Sequence, residues 1–355
     1  MKNLIFLILT LLAWPGGGCG AAKAGAQAAE ACGQAAEAAC AEAEAPAEEA
    51  AAGAKVAPVA PQGEWAVVNT SSVFMRGEAS YTAENVSQSR MGTPVQVLAR
   101  TGYWVKIRTP EPYEGWVNEL TLAPYPADYR SCKRYICVRE HSFVYAEPSL
   151  EAARLSDLSM SDIVRAAGKD GVKAGKDGAK AGQSTGKDGW AAVQLWDGRS
   201  GWVPAADVAD FADWMATPHD IAAEVVATAR LFLGSPYMWG GMSAGLFDCS
   251  GLVGFCYFMA GIQLPRDASQ QIGCGVPVDF EDMQAGDLVF FGEKRVGHVA
   301  LCTGPGRIIH SSQIVRENSL IPGEPDYYGR HIIGIRRIIG HLPQESFVKN
   351  SQLYF

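Results

Sequence analysis

Two short β-rich phrases recur in this chain, "YWVKIRT…EGWV" and "GWAAVQLW…SGWV", and their recurrence limits the fold more than any other feature. Around the first stand "WAVVNT" and "PVQVLAR"; around the second, "RYICVRE" and "SDIVRAAG". Each run is short, β-branched or aromatic, and bounded by Gly, Pro or polar turns, which is the pattern of a small barrel rather than of a helix or a long open sheet. A tandem repeat of about 60–80 residues is the economical reading. It places one barrel at 64–126 and a second at 127–210. The second copy holds "GKDGVKAGKDGAKAGQSTGKDG" (168–189), whose glycines and charges have nothing to bury, so it is expected to be a flexible loop inserted between two strands.

What precedes the repeats has a different texture. The chain opens with one lysine and an apolar run from Leu4 to Trp14, too short to span a membrane and followed by small residues, which is the form of an export signal over 1–19. Cys19 after three glycines is either a lipid acceptor, which would tether the protein to a membrane surface, or lies beside a simple cleavage point. The expected location is therefore outside a bacterial membrane. Residues 20–63 are almost entirely Ala, Glu, Gly, Gln and Pro and read as a solvated linker. The net charge of −8 is modest, and no basic stripe appears, which argues against nucleic acid as a partner. Nine cysteines invite a disulfide framework, but their spacing does not suit one; only a local bridge between Cys132 and Cys137 is considered.

After residue 210 a third region (211–355) begins. In "TPHDIAAEVVATARLFLG" Thr217 is the expected N-cap and Pro218 the first helical residue, with Gly234 as terminator. A glycine-rich turn, a helix from Cys249 to about Gly261, and the alternating runs "GDLVFFG", "GHVALCTG" and "RIIHSS" then predict a helix against an antiparallel sheet, an α+β domain.

Cys249 in "FDCSGLV" sits at the polar entry to that helix, not inside an apolar run. A thiol near pKa 8.5 is a poor nucleophile until its thiolate is stabilised. The helix start offers unpaired N–H groups and a positive dipole end, and the N–H of Cys249 itself can serve a developing oxyanion. A base must come from elsewhere. A hairpin centred on Gly304 would set His298 and His310 nearly opposite each other, about 5 Å apart. His298 is then the base and His310 the group that orients it. No close pair of ligands with metal-site spacing accompanies them, so neither metal nor cofactor is expected.

The collinear set "GSPYMWGG…FDCSGLV…LPRDASQQ…AGDLVFFG…GHVAL…IIHSS", spread over most of residues 225–312, resembles the NlpC-type family of papain-like cell-wall cysteine peptidases. The repeats in front resemble bacterial SH3 domains. The resemblance implies a papain-like catalytic domain preceded by two small SH3-like β-barrels, with Cys249, His298 and His310 as the triad and Tyr237 beside the nucleophile. It further implies a γ-D-glutamyl-L-diamino acid endopeptidase acting, as a monomer, on peptidoglycan stem peptides that begin with free L-alanine. The subsite for the peptide's amino terminus would comprise Asp248, Ser250, Arg266 and Asp267, with Glu84 and Tyr113 contributed by the first barrel. Asp248 and Glu84 are the carboxylates expected on the amino group. Relatives often carry serine where this chain has Ala268. The rival readings are a general endopeptidase acting on intact wall and a non-enzymatic wall-binding protein.

Overall fold

A computed structural model describes residues 63–167, 189–217 and 220–355. The export signal, Cys19, the linker, Pro218 and nearly all of the GKDG insertion lie outside the described residues.

The two β-rich copies fold into two sheets. The first comprises β1 (Glu64–Val68), β2 (Ser72–Arg76), β3 (Asn85–Arg90), β4 (Pro94–Thr101), β5 (Trp104–Arg108), β6 (Glu114–Asn118) and β7 (Leu122–Pro124). The second comprises β8 (Arg134–Cys137), β9 (His141–Tyr145), β10 (Arg154–Ser159), β11 (Ile163–Ala166), β12 (Trp190–Gln194), β13 (Ser200–Pro204) and β14 (Val208–Asp210). The spatial orders are β3-β2-β6-β5-β4-β1-β7 and β10-β9-β13-β12-β11-β8-β14, so every strand of one has its counterpart in the other. Alternation explains the cores: Val105, Ile107 and Val117 point inward in one sheet, Ala191, Val193 and Val203 in the other. The insertion joins β11 to β12, which pair antiparallel. A buried carboxyl locks the sheets together: Asp162 accepts from Met91 N–H (3.1 Å) and Ser71 Oγ (2.6 Å), and burial pushes it up to about 7.

The third region is led by α1 (Phe211–Ala216) and α2 (Ile221–Leu231). Asp220, not Thr217, caps α2, its side chain accepting from Ala223 N–H at 3.2 Å. Thr217 instead closes α1, its N–H reaching Asp213 O. Asp220 stands immediately before the first apolar turn at Ile221, where its carboxylate can accept from the helix's open N–H groups. Next come the two-residue strands β15 (Met242–Ser243) and β16 (Leu246–Phe247), then α3 (Cys249–Met259) and the single turn α4 (Ala268–Gln271). Helix α3 is apolar nearly all round because it is covered nearly all round: α2 lies on one side and a six-stranded sheet on the other. That sheet has the order β17-β22-β18-β19-β20-β21, from β17 (Val276–Pro277), β18 (Leu288–Phe291), β19 (His298–Gly304), β20 (Arg307–Ser312), β21 (Ile314–Ser319) and β22 (Ile332–Arg337). Val299, Leu301 and Ile309 pack with Leu252, Val253 and Phe255 in the main core.

Cys132 and Cys137 are not bridged. Both are free thiols, one bonded to Tyr129 O from a turn and the other buried at the end of β8 against Arg139 O.

Candidate active site

Helix α3 begins where the sequence places it, and its first turn is crowded by design. Asp248 is the N-cap, its Oδ1 accepting from Gly251 N–H at 2.7 Å. A Cβ on Gly251 would stand 1.9 Å from Gly241 O, so only glycine lets the preceding loop pass this close to the helix start. Cys249 is the first helical residue and is half-buried. Burial, and then the charge of Asp248, push its thiol up to about 12; the N–H groups of Val299 and Ser250 pull the other way. Contact with Val299 sets the sulfur beside the start of β19, next to His298.

His298 and His310 do meet, though not in the expected register. The β19–β20 ladder pairs Leu301 with Ile309 and Cys302 with Ile308, with a bulge before Gly304, so His310 faces Ala300 and the two histidines are diagonal neighbours. A diagonal pair on one face is still within reach of long side chains. His298 Nε2 and His310 Nδ1 lie 2.7 Å apart, both residues buried.

A third member, absent from the sequence reading, fixes the protons. Asn318 on β21 places Oδ1 2.9 Å from His310 Nε2, while its Nδ2 donates to Asp326 O at 2.7 Å. A backbone carbonyl can only accept, so the amide nitrogen must face Asp326 and the amide oxygen must face His310. His310 therefore carries its proton on Nε2 and accepts at Nδ1; His298 donates from Nε2 and keeps the lone pair on Nδ1. Tyr328 caps the pair, 4.5 Å from the His310 ring and 5.9 Å from that of His298. Burial holds His298 well below the ordinary imidazole range, helped by His310, Arg330 and Arg316. Burial likewise lowers His310 to about 4, against the Asn318 hydrogen bond. A raised thiol beside a lowered imidazole rests as the neutral pair.

On the other side of Cys249 lies a charged network. Arg266, buried, donates Nη2 to Asp248 Oδ2 at 2.5 Å, Nη1 to Ser250 Oγ at 3.0 Å and Nε to Ser87 Oγ at 2.9 Å. Asp248, expected on the substrate's amine, is thus already paired with a guanidinium in the free protein. The unmatched acids are its neighbours. Asp267 at the start of α4 bonds the Tyr113 hydroxyl and is raised by burial, against Arg266. Tyr113 is pushed up to about 12 by burial, with Asp267, Asp248 and Glu84 adding to it. Glu84, exposed, accepts from Trp239 Nε1 at 2.6 Å. Tyr237 joins the segment that leads into Cys249, bridging to Phe247 and donating its N–H to Gln313 O at 2.8 Å.

The first sheet is therefore part of the cleft wall. Its β3 strand supplies Ser87 to Arg266, and Gln88 Oε1 accepts from Met242 N–H (2.9 Å) and Ser243 Oγ (2.9 Å). Asn85 Nδ2 donates to Trp239 O at 3.0 Å, and Gly240, at φ +72°, passes so near that a Cβ would lie 2.3 Å from Asn85 O.

A helix that opens on a half-buried thiol and packs on a sheet bearing a hydrogen-bonded histidine pair defines a papain-like fold. Residues 234–337 match the NlpC/P60 family, and residues 71–123 match the bacterial SH3 domain. The chain is 30% identical, over 71% of its length and 75% of the relative's, to the gamma-D-glutamyl-L-lysine dipeptidyl-peptidase of Bacillus cereus strain ATCC 10987. It is 28% identical to dipeptidyl-peptidase 6 of Lysinibacillus sphaericus, over 74% of this chain and 94% of that one. The crystal structure of an NlpC/P60 family protein from Bacillus cereus ATCC 10987 superposes with a TM-score of 0.62 at 24% identity, covering 77% of this chain and 99% of that one. The chain belongs to the NlpC/P60 family of cysteine peptidases.

Proposed function

We propose that the protein hydrolyses the γ-D-glutamyl bond to the diamino acid in peptidoglycan stem peptides that begin with free L-alanine. The observation that carries this reading is the acidic end of the cleft. Glu84 and Tyr113 from the first sheet converge with Asp267 just beyond the Cys249 helix, where a peptide two residues long would present its ammonium group. The relatives named for γ-D-glutamyl-L-lysine dipeptidyl-peptidase activity support the same bond.

The chemistry follows from the proton positions. His298 Nδ1 takes the proton of Cys249 as substrate excludes water, the sulfur attacks the glutamyl γ-carbonyl, and the N–H groups at the start of α3 hold the oxyanion. His298 then protonates the leaving amine of the diamino acid, and water hydrolyses the thioester. His310 acts by fixing the tautomer of His298. The shared strand order of the two seven-stranded sheets supports reading both as SH3-like domains. The opening residues support an exported protein, which a lipid on Cys19 would hold at a membrane surface.

The test is to incubate the purified protein with L-Ala-γ-D-Glu-diaminopimelate, free and N-acetylated, and to identify products by mass. Release of L-Ala-γ-D-Glu from the free peptide alone is expected. Equal cleavage of both would make the protein a general wall endopeptidase, and cleavage of neither would support a binding role.

A further inference from the structure

The histidine side of the cleft carries a cation without a counter-charge. Arg316 stands directly opposite His310 in the β20–β21 ladder, so the two side chains share one face with Cβ atoms about 5 Å apart. Its Nε is buried and has no hydrogen-bond partner, and among the described residues its guanidinium makes no ion pair. The neighbouring acids are committed elsewhere: Glu317 to Arg230 at 2.7 Å, and Glu324 and Asp326 to Arg307 at 3.3 and 2.9 Å. Arg330 stands on the same side, its Nη1 donating to the hydroxyl of Tyr328, the ring that covers both histidines. The charges of both arginines act on His298 and His310 alike, beneath the larger effect of burial.

An uncompensated arginine beside a histidine base is unfavourable for an imidazolium, unless an anion arrives with the substrate. The rest of the cleft agrees. Its far end is acidic, through Asp267 and Glu84, and its histidine end is basic. The leaving amine must touch His298 to receive a proton, and the α-carboxyl carbon of the same residue is only two bonds from that nitrogen, so it too must lie close to the histidine pair that Arg316 and Arg330 flank. A guanidinium fork fits a carboxylate with two parallel hydrogen bonds. We propose that Arg316, with Arg330 beside it, binds a carboxylate of the residue on the leaving side of the scissile bond. The cleft then reads both ends of a short peptide. This inference rests on the γ-D-glutamyl reading above. The carboxylate has two sources: the chain terminus of a tripeptide, which a longer stem lacks, or the side chain of diaminopimelate, which lysine lacks.

The experiment compares kcat/KM of the full chain and Arg316→Gln on L-Ala-γ-D-Glu-L-Lys, its C-terminal amide, and L-Ala-γ-D-Glu-diaminopimelate. Arg154→Gln, on the second sheet over Phe143, controls for loss of a charge. A terminal carboxylate predicts that the wild type prefers acid to amide by about tenfold or more, and that Arg316→Gln erases the preference by slowing the acid alone. A side-chain carboxylate predicts the same pattern for diaminopimelate over lysine. Arg316→Lys, which keeps the charge without the fork, should recover part of the loss. Alkylation of Cys249 at the wild-type rate confirms that the variants are folded. If Arg316→Gln treats all three peptides in the wild-type ratio, the inference is overturned. If the wild type cleaves none of them, it is the γ-D-glutamyl reading that fails.

Discussion

Replacing Asn318 by leucine tests the proton arrangement more sharply than replacing either histidine. The amide oxygen is what holds the His310 proton on Nε2, at 2.9 Å, and leucine keeps the volume while removing it. Two outcomes are open to the variant. If His310 keeps its tautomer, a buried N–H is left without an acceptor, at a cost of about 1–3 kcal/mol. If the proton moves to Nδ1, it confronts the His298 Nε2 proton across 2.7 Å, and His298 must reverse as well. Reversed, His298 presents an N–H to Cys249 and has no lone pair for its proton. The competent tautomer is therefore depleted by that same 1–3 kcal/mol, and kcat should fall by roughly tenfold to a hundredfold. KM should scarcely move, because Asn318 touches no part of the acidic subsite. Asn318→Asp restores an acceptor and should retain much of kcat, with the acid limb of the pH profile moved upward by the added negative charge. Long-range nitrogen–proton NMR of the two rings reads the tautomers directly. A leucine variant with wild-type kcat, unchanged ring-nitrogen shifts and undiminished stability refutes the reasoning.

Three further outcomes are expected. Cys249→Ser should fold normally and lose nearly all hydrolysis, as measured by product release, since a hydroxyl needs a stronger base than a histidine held this low. Glu84→Gln should lower kcat/KM on free tripeptide by about tenfold or more while leaving the trace cleavage of N-acetylated peptide unchanged; equal losses on both would mean that Glu84 only supports Trp239. Both histidines are depressed below the unfolded value of 6.5, so the stability they confer is complete above that pH and is lost as the pH falls through their folded values. For His310, lowered to about 4, this amounts to about 3 kcal/mol. Urea midpoints should accordingly fall more steeply between pH 6.5 and 4 in the wild type than in His310→Asn.

Much of this was legible in the residues. Alternation in "YWVKIRT" and "WAAVQLW" marks strands because one face must be apolar, and "FDCSG" announces a capped helix start carrying a thiol. What escaped was whatever depends on contacts distant in the chain. Strand β3, "NVSQSR", is polar yet buried from Ser87 to Arg90, because it faces not its own sheet's core but a region more than 150 residues away. No local pattern reveals that. The histidine register differs from the expected one because the turn falls at Pro305–Gly306 rather than on Gly304, and the one-residue bulge before Gly304 offsets only part of that displacement. Asn318 sits in "IVRENSL", an ordinary-looking edge strand, and gains its role only when β21 lies beside β20. Asp248 was recognised as part of the site but credited with a free charge, since the partner that neutralises it, Arg266, belongs to another loop.

The hydrogen bonds of β3 across to Arg266, Met242, Ser243 and Trp239 give the cleft a seam, with the thiol on one side and Glu84 on the other. Chemistry and selectivity are thus separable by mechanics. Gly240→Ala would set a Cβ 2.3 Å from Asn85 O and force that seam apart, and if the acidic end then opens while Cys249 and its histidines hold, peptides whose first alanine is still bound to sugar would be admitted. An enzyme confined to loose fragments and one able to open a cell wall would then differ only in how tightly two pieces of one chain are pressed together.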